Sequence, residues 1–266
     1  MHRVIASTAI LIVWIAGVVS AQWIKHPTPG IPRTADGKPN LTAPAPKGPD
    51  GKPDLSGIWQ RVRPQGSPGG PEFGNTVTYY MAKDATVPLR PWAAELLKQR
   101  RYVDLGGGRP SERCLPHGVI GAMLPTVPFK LVQQPGLTLM LYEQLNQFRQ
   151  IFTDGRSFPD DMQPNWWGYS IGYWEGERFV VDTKGFNDKT WLDDSGYPHS
   201  EAMRTFERFH RLDFGHMDLE ITVDDPVAYT APWSIMLKLE LMADTELIED
   251  VCDNEKDAEH FKGLNR

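Results

Sequence analysis

The chain has only two cysteines, Cys114 and Cys252, and no CxxC pair, which excludes the common thiolate metal and dithiol redox sites. It has no excess of positive charge: 28 Lys and Arg stand against 34 Asp and Glu, a formal net charge of −6. Nucleic acids and anionic membrane surfaces select basic faces, so neither is an expected partner. Only one long apolar run exists, at the very start, and nothing later resembles a membrane-spanning segment. Enzyme fingerprints are lacking as well. There is no Gly-x-Ser-x-Gly elbow, no phosphate-binding Gly-x4-Gly-Lys-Ser/Thr and no His-Glu-x-x-His. Gly106-Gly107-Gly108 is followed by Arg109-Pro110 rather than by a helix, so it reads as a loop. No motif implies a cofactor.

The apolar start has the three parts of an export signal. Arg3 is positive, Val4–Val19 is almost wholly apolar, and Val19-Ser20-Ala21 offers small residues for cleavage. Residues 1–21 are therefore expected to be a signal peptide, an uncleaved anchor being the alternative. The mature protein is expected to be periplasmic or secreted, with no stable membrane insertion after cleavage. Two cysteines in an oxidising compartment suggest one Cys114–Cys252 disulfide, against the alternative of two buried thiols. Such a bond would close a long loop and contribute roughly 4–5 kcal/mol in the chain-entropy description.

Residues 22–70 are rich in Pro and Gly and lack apolar periodicity, so they read as an extended lead-in. A short echo lies within it: Asp36-Gly37-Lys38-Pro39-Asn40-Leu41-Thr42, then Asp50-Gly51-Lys52-Pro53-Asp54-Leu55-Ser56. Each copy reads as a turn followed by an anchoring Leu. Residues 71–266 read as one domain. Leu89–Tyr102 is expected to be a helix, with Pro91 in its first turn and Trp92, Leu96 and Leu97 on one face. From Phe129 the period becomes two, and nine segments read as strands: 129–133, 137–143, 147–154, 169–175, 178–183, 201–213, 216–224, 234–242 and 246–252. Turn signals such as Pro135-Gly136, Asp154-Gly155, Glu175-Gly176 and Phe214-Gly215 separate them. Asn254–Lys262 would be a short helix. The expected fold is all-β with minor α: an antiparallel meander closed into a barrel, because closure removes exposed edges. A two-sheet sandwich is the alternative.

Gly57-Ile58-Trp59, ahead of a strand meander, resembles the lipocalin-like (calycin) barrels, a resemblance that implies an indole closing one barrel end. Cys114-Leu115-Pro116-His117-Gly118, Phe152-Thr153-Asp154-Gly155-Arg156, Gly172-Tyr173-Trp174-Glu175-Gly176 and Pro198-His199-Ser200-Glu201-Ala202 resemble a large family of exported, uncharacterised bacterial proteins. That resemblance implies export and assigns no catalytic residue.

The longest break between the later strands, 184–200, carries Asp188, Trp191, Asp193, Asp194, Tyr197 and His199, and connections of this length often serve as lids. It runs into a segment with ionisable groups on both faces: Glu201, Glu207 and Arg211 on one, which also holds Thr205, and Arg204, Arg208 and His210 on the other. Enclosing such a strand must bury some of them. His199 and Glu201 are a candidate base and acid, with Arg204 or Arg149 to stabilise negative charge. Glu143, Arg149, Trp191, Asp193 and Glu207 are candidate ligand-binding residues, although Glu143 and Arg149 flank one turn and would more simply pair with each other. His117, His199, His210 and His216, with Glu201 and Asp193, are enough donors for a metal, but no spacing is diagnostic, and no metal ligand is assigned. Trp166, Trp167, Tyr169, Tyr173, Trp174 and Trp191 could stack on a flat ligand. Three functions follow: a barrel that binds a small apolar or aromatic molecule, an acid–base hydrolase, lyase or isomerase on the same scaffold, or a structural envelope protein without a site.

Overall fold

The computed structural model describes residues 27–63, 76–103 and 111–252. The signal segment, the Gly106–Gly108 loop and the Asn254–Lys262 helix lie outside these residues. Nine strands close into one barrel in chain order. They are β1 (Gly57–Arg61), β2 (Phe129–Gln134), β3 (Leu137–Tyr142), β4 (Phe148–Phe152) and β5 (Tyr169–Glu175), then β6 (Arg178–Lys184), β7 (Arg204–Arg211), β8 (His216–Asp224) and β9 (Trp233–Leu241).

Alternation in the sequence sets the faces. On β8, Met217, Leu219, Ile221 and Val223 are buried, while Asp218, Glu220 and Thr222 are not. On β9, Ile235, Leu237 and Leu239 point inward, and Met236, Lys238 and Glu240 outward. A ring of strands that alternates in direction closes only with an even number of members. Nine strands therefore require one parallel pair, and β4–β5 supplies it, with Ile151 opposite Ser170 and Phe152 opposite Ile171. Residues 153–168 carry the chain back between the two. Outside this junction Phe152 stacks on Tyr169 at 5.0 Å, and Arg156 lies over Phe152 while donating to the Tyr169 hydroxyl.

Two expectations about strands change. β1 falls inside the Pro/Gly-rich lead-in and completes the ring by pairing with both β2 and β9. Residues 246–252 are not a strand. With the ring closed they have no free edge to join, and they cross the β2–β4 region through polar contacts instead. The Ile248 amide donates to Glu143, the Leu145 amide donates to Asp250, and Lys130 pairs with Glu246. The Cys114–Cys252 disulfide is present, with Cα atoms 5.6 Å apart.

At the end holding the 134–137, 175–178 and 211–216 turns, called the lower end below, Trp59 is fully buried and its Nε1 donates to the Leu55 carbonyl. The Arg211 guanidinium lies over the Trp59 ring and donates to the carbonyls of Asp54, Asp213 and Phe214. Burial pushes the Arg211 pKa down to about 10. The lead-in wraps this end. Its echo is a structural repeat, since both copies make the same three backbone bonds fourteen residues apart. Thr34 N to Lys38 O, Gly37 N to Thr34 O and Asn40 N to Pro32 O recur as Gly48 N to Lys52 O, Gly51 N to Gly48 O and Asp54 N to Pro46 O. Gly37 and Gly51 supply the positive φ of each turn, +81° and +76°. Arg33 then clamps Asp244 with two hydrogen bonds.

The described residues between β1 and β2, with the 184–203 and 225–232 connections, cover the opposite, upper end. α1 (Pro91–Val103) buries Ala93 and Leu97 there, one turn apart. Trp92, expected on that face, is 42 % exposed and caps the Val227 carbonyl through its indole N–H. The short α2 (Gly118–Gly121) is buried throughout.

Inside the barrel, Gly172 faces Phe179 and Ile151, and an added Cβ would lie 2.6 Å and 2.8 Å from their side-chain carbons. Gly172→Ala should therefore overpack the interior and lower stability by about 1–3 kcal/mol. Urea denaturation checks this, and an unchanged midpoint would show that the two side chains yield freely.

Candidate functional site

The inward face is divided by chemistry. Towards the lower end Trp59, Leu131, Phe179 and Phe209 are at most 1 % exposed and fill the barrel. Higher up, one register row runs from Ser170 on β5 through Thr183 on β6 and Thr205 on β7 to Val223 and Trp233 on β8 and β9. Three successive hydroxyl residues thus occupy positions whose phase is inward. The facing β8–β9 wall, with Ile221, Val223, Ile235 and Leu237, is apolar.

Arg149 reaches this row from β4. Its Nη1 and Nη2 donate to Glu207 Oε1 and Oε2 at 3.0 and 2.6 Å, its Nε donates to Ser170 Oγ, and Nη2 also donates to Thr183 Oγ1. Arg149 is 2 % and Glu207 0 % exposed. Burial disfavours the charge on Arg149, but the adjoining Glu207 carboxylate, with the Tyr142 phenol, outweighs it and raises the pKa. Burial pushes the Tyr142 phenol far above its ordinary range. Arg149 and Glu207, both expected near a ligand, are thus brought together. The Glu143–Arg149 pair is not formed: Arg149 points inward to Glu207, and Glu143 accepts the Ile248 amide instead. Burial raises the Glu143 pKa.

The other expected residues lie elsewhere. Asp193, 4 % exposed, accepts from Thr76 Oγ1 and from the amides of Val77, Ser195 and Tyr197, tying the 184–203 connection to the segment before α1. Its burial raises its pKa despite those donors. Trp191 lies under the Arg100 guanidinium at 4.7 Å. His199 is 3 % exposed, with Nε2 2.5 Å from Thr190 Oγ1 and Nδ1 3.2 Å from the Ser200 carbonyl. A carbonyl can only accept, so Nδ1 carries the proton and Nε2 accepts from the Thr190 hydroxyl. Burial lowers the His199 pKa and keeps the ring neutral. Glu201 is exposed, and Arg204 points outward to Asp182. Among the described residues no hydrogen bond or ion pair joins any two of His199, Glu201 and Arg204, and no three His, Cys, Asp or Glu side chains converge as metal ligands.

Three inward groups that were not among the candidate site residues are chemically unsatisfied. Among the described residues, Thr205 Oγ1, Trp233 Nε1, and Nε and Nη1 of Arg61 are buried and have no hydrogen-bond partner. Their sequence signal was their phase, each sharing the inward face with apolar neighbours on its strand. Such groups cost free energy when buried unmatched, and native proteins keep few of them. No protein-family model matches the sequence, and no curated protein is similar enough to be matched to it.

Proposed function

We propose that this protein is exported and takes a small, largely apolar or aromatic molecule, with a polar end, into the upper half of its barrel. The observation that carries this reading is the unmatched Thr205 hydroxyl and Trp233 indole on a buried row that is otherwise hydrogen-bonded. A barrel with a purely structural role gains nothing from two buried donors without acceptors, whereas a ligand would satisfy them. The apolar β8–β9 wall suits the body of such a molecule, and the hydroxyl row its polar end. The disulfide is compatible with an oxidising, exported location.

The test uses Thr205→Val and Trp233→Phe, each of which deletes an unmatched polar group at nearly constant shape. Without ligand, both variants should melt at or above the wild-type temperature. The stabilisation that a bound aromatic compound gives the wild type in a thermal-shift screen should shrink in both, corresponding to an affinity loss of about tenfold for each hydrogen bond removed. Variants that melt several degrees lower would show that the two groups hold the fold, and the binding reading would fall.

A further inference from the structure

Of the buried arginines on the inward face, Arg149 has a carboxylate and two hydroxyls, and Arg211 has three carbonyls. Arg61 has neither. It is 3 % exposed, lies opposite the inward Leu239 and two residues beyond the inward Trp59, and so faces the interior. The Tyr80 ring lies 5.1 Å from its guanidinium carbon. Burial lowers the Arg61 pKa, and the charge of Arg63 lowers it further, while the Tyr80 phenol opposes both. A buried cation persists when something of opposite charge meets it.

We infer that Arg61 is the anion-binding residue of the barrel, and that the ligand is a small organic acid whose carboxylate accepts hydrogen bonds from this guanidinium. This rests on the interior-binding reading and names its ligand class. Charge matching favours a single negative charge. Glu207 is already engaged with Arg149 and Arg211 is held by three carbonyls, so among the described residues Arg61 is the inward cation left without a hydrogen-bonding oxygen, and a dianion would bring it a second charge with no partner. The planar guanidinium fits a planar carboxylate, and the apolar β8–β9 wall fits the carbon skeleton behind it. The barrel without its ligand then carries an instability that binding relieves, as expected of a group kept for function rather than for folding.

The experiment measures, at matched ionic strength, calorimetric binding of acetate, benzoate and 2-naphthoate, each beside its neutral amide, with inorganic phosphate as a further arm. Wild type and Arg61→Met are compared, since Met keeps much of the length without the charge. For the best-fitting skeleton the acid should bind the wild type at least tenfold more tightly than its amide, and this ratio should fall to about one in Arg61→Met. Phosphate should bind more weakly than that acid. Without ligand, Arg61→Met should melt higher, by roughly 2–4 °C. Equal binding of acid and amide to the wild type would overturn the role of Arg61 while leaving interior binding in place. Phosphate binding as tight as the best acid would overturn the carboxylate assignment. If none of these compounds binds and Arg61→Met melts lower, Arg61 is structural, and interior binding fails with it.

Discussion

Glu207→Gln is expected to lower the free energy of unfolding by about 3–5 kcal/mol. The variant keeps the size and shape of the side chain, so packing is preserved. It loses the charge that balances Arg149, and both residues are at most 2 % exposed. The guanidinium would remain buried against two hydroxyls and the Met140 sulfur, none of which carries a countercharge. Most small domains have only 5–15 kcal/mol in total, so such a loss would leave the variant marginal. Removing both charges is different. In Arg149→Met with Glu207→Leu, Ser170 Oγ and Thr183 Oγ1 still bond to each other at 3.0 Å, and no isolated charge remains. Measured against the Arg149→Met and Glu207→Leu single variants, the double variant should regain most of the loss, giving a coupling energy well above 1 kcal/mol in a urea double-mutant cycle. A double variant as unstable as the sum of the single ones would show that the two residues act separately, and that the pair is not what holds β4 against β7.

The pairing of Arg149 with Glu207 shows where sequence reading stops. Both residues were candidates from their positions alone, and the burial of Glu207 followed from a strand with charges on both faces. The choice of partner was not legible. Glu143 lies six residues from Arg149, whereas Glu207 lies 58 away and meets it only because β4 to β7 pair in one particular register. β8 and β9 were readable because each has one apolar and one polar face. β1 was not, because Gly57–Arg61 is five residues in a Pro/Gly-rich context, and its pairing is with strands far along the chain. The opposite error arose at 246–252, where Leu247, Ile248 and Val251 have strand propensity but the closed ring offers no edge. His199 and Glu201 were near each other in sequence, yet one is buried in a loop and the other exposed. Short sequence separation was a poor guide to a site whose geometry is set by strand register.

Reducing the Cys114–Cys252 bond should cost roughly 5 kcal/mol, since it closes a loop of 138 residues in sequence separation and constrains the unfolded chain accordingly. The loop contains β2 to β9, so nearly the whole barrel lies between the linked residues. In the folded state the bond also anchors the 245–252 segment, whose Ile248 amide donates to Glu143 and whose Asp250 accepts from the Leu145 amide and from Asn146. Two mechanisms therefore predict different behaviour. If the bond acts on the unfolded chain, the reduced protein should unfold at a markedly lower urea concentration. The Cys114→Ala, Cys252→Ala variant should match it, and reductant should have no further effect on that variant. A less constrained unfolded state exposes more surface, so the urea dependence should also steepen on reduction. If the bond merely pins the tail, reduction should speed hydrogen exchange at the Ile248 amide and leave the global midpoint where it was. An unchanged midpoint with fast exchange at Ile248 would reduce the disulfide to a local clasp, and the stability of the closed barrel would then have to come from its packed interior alone.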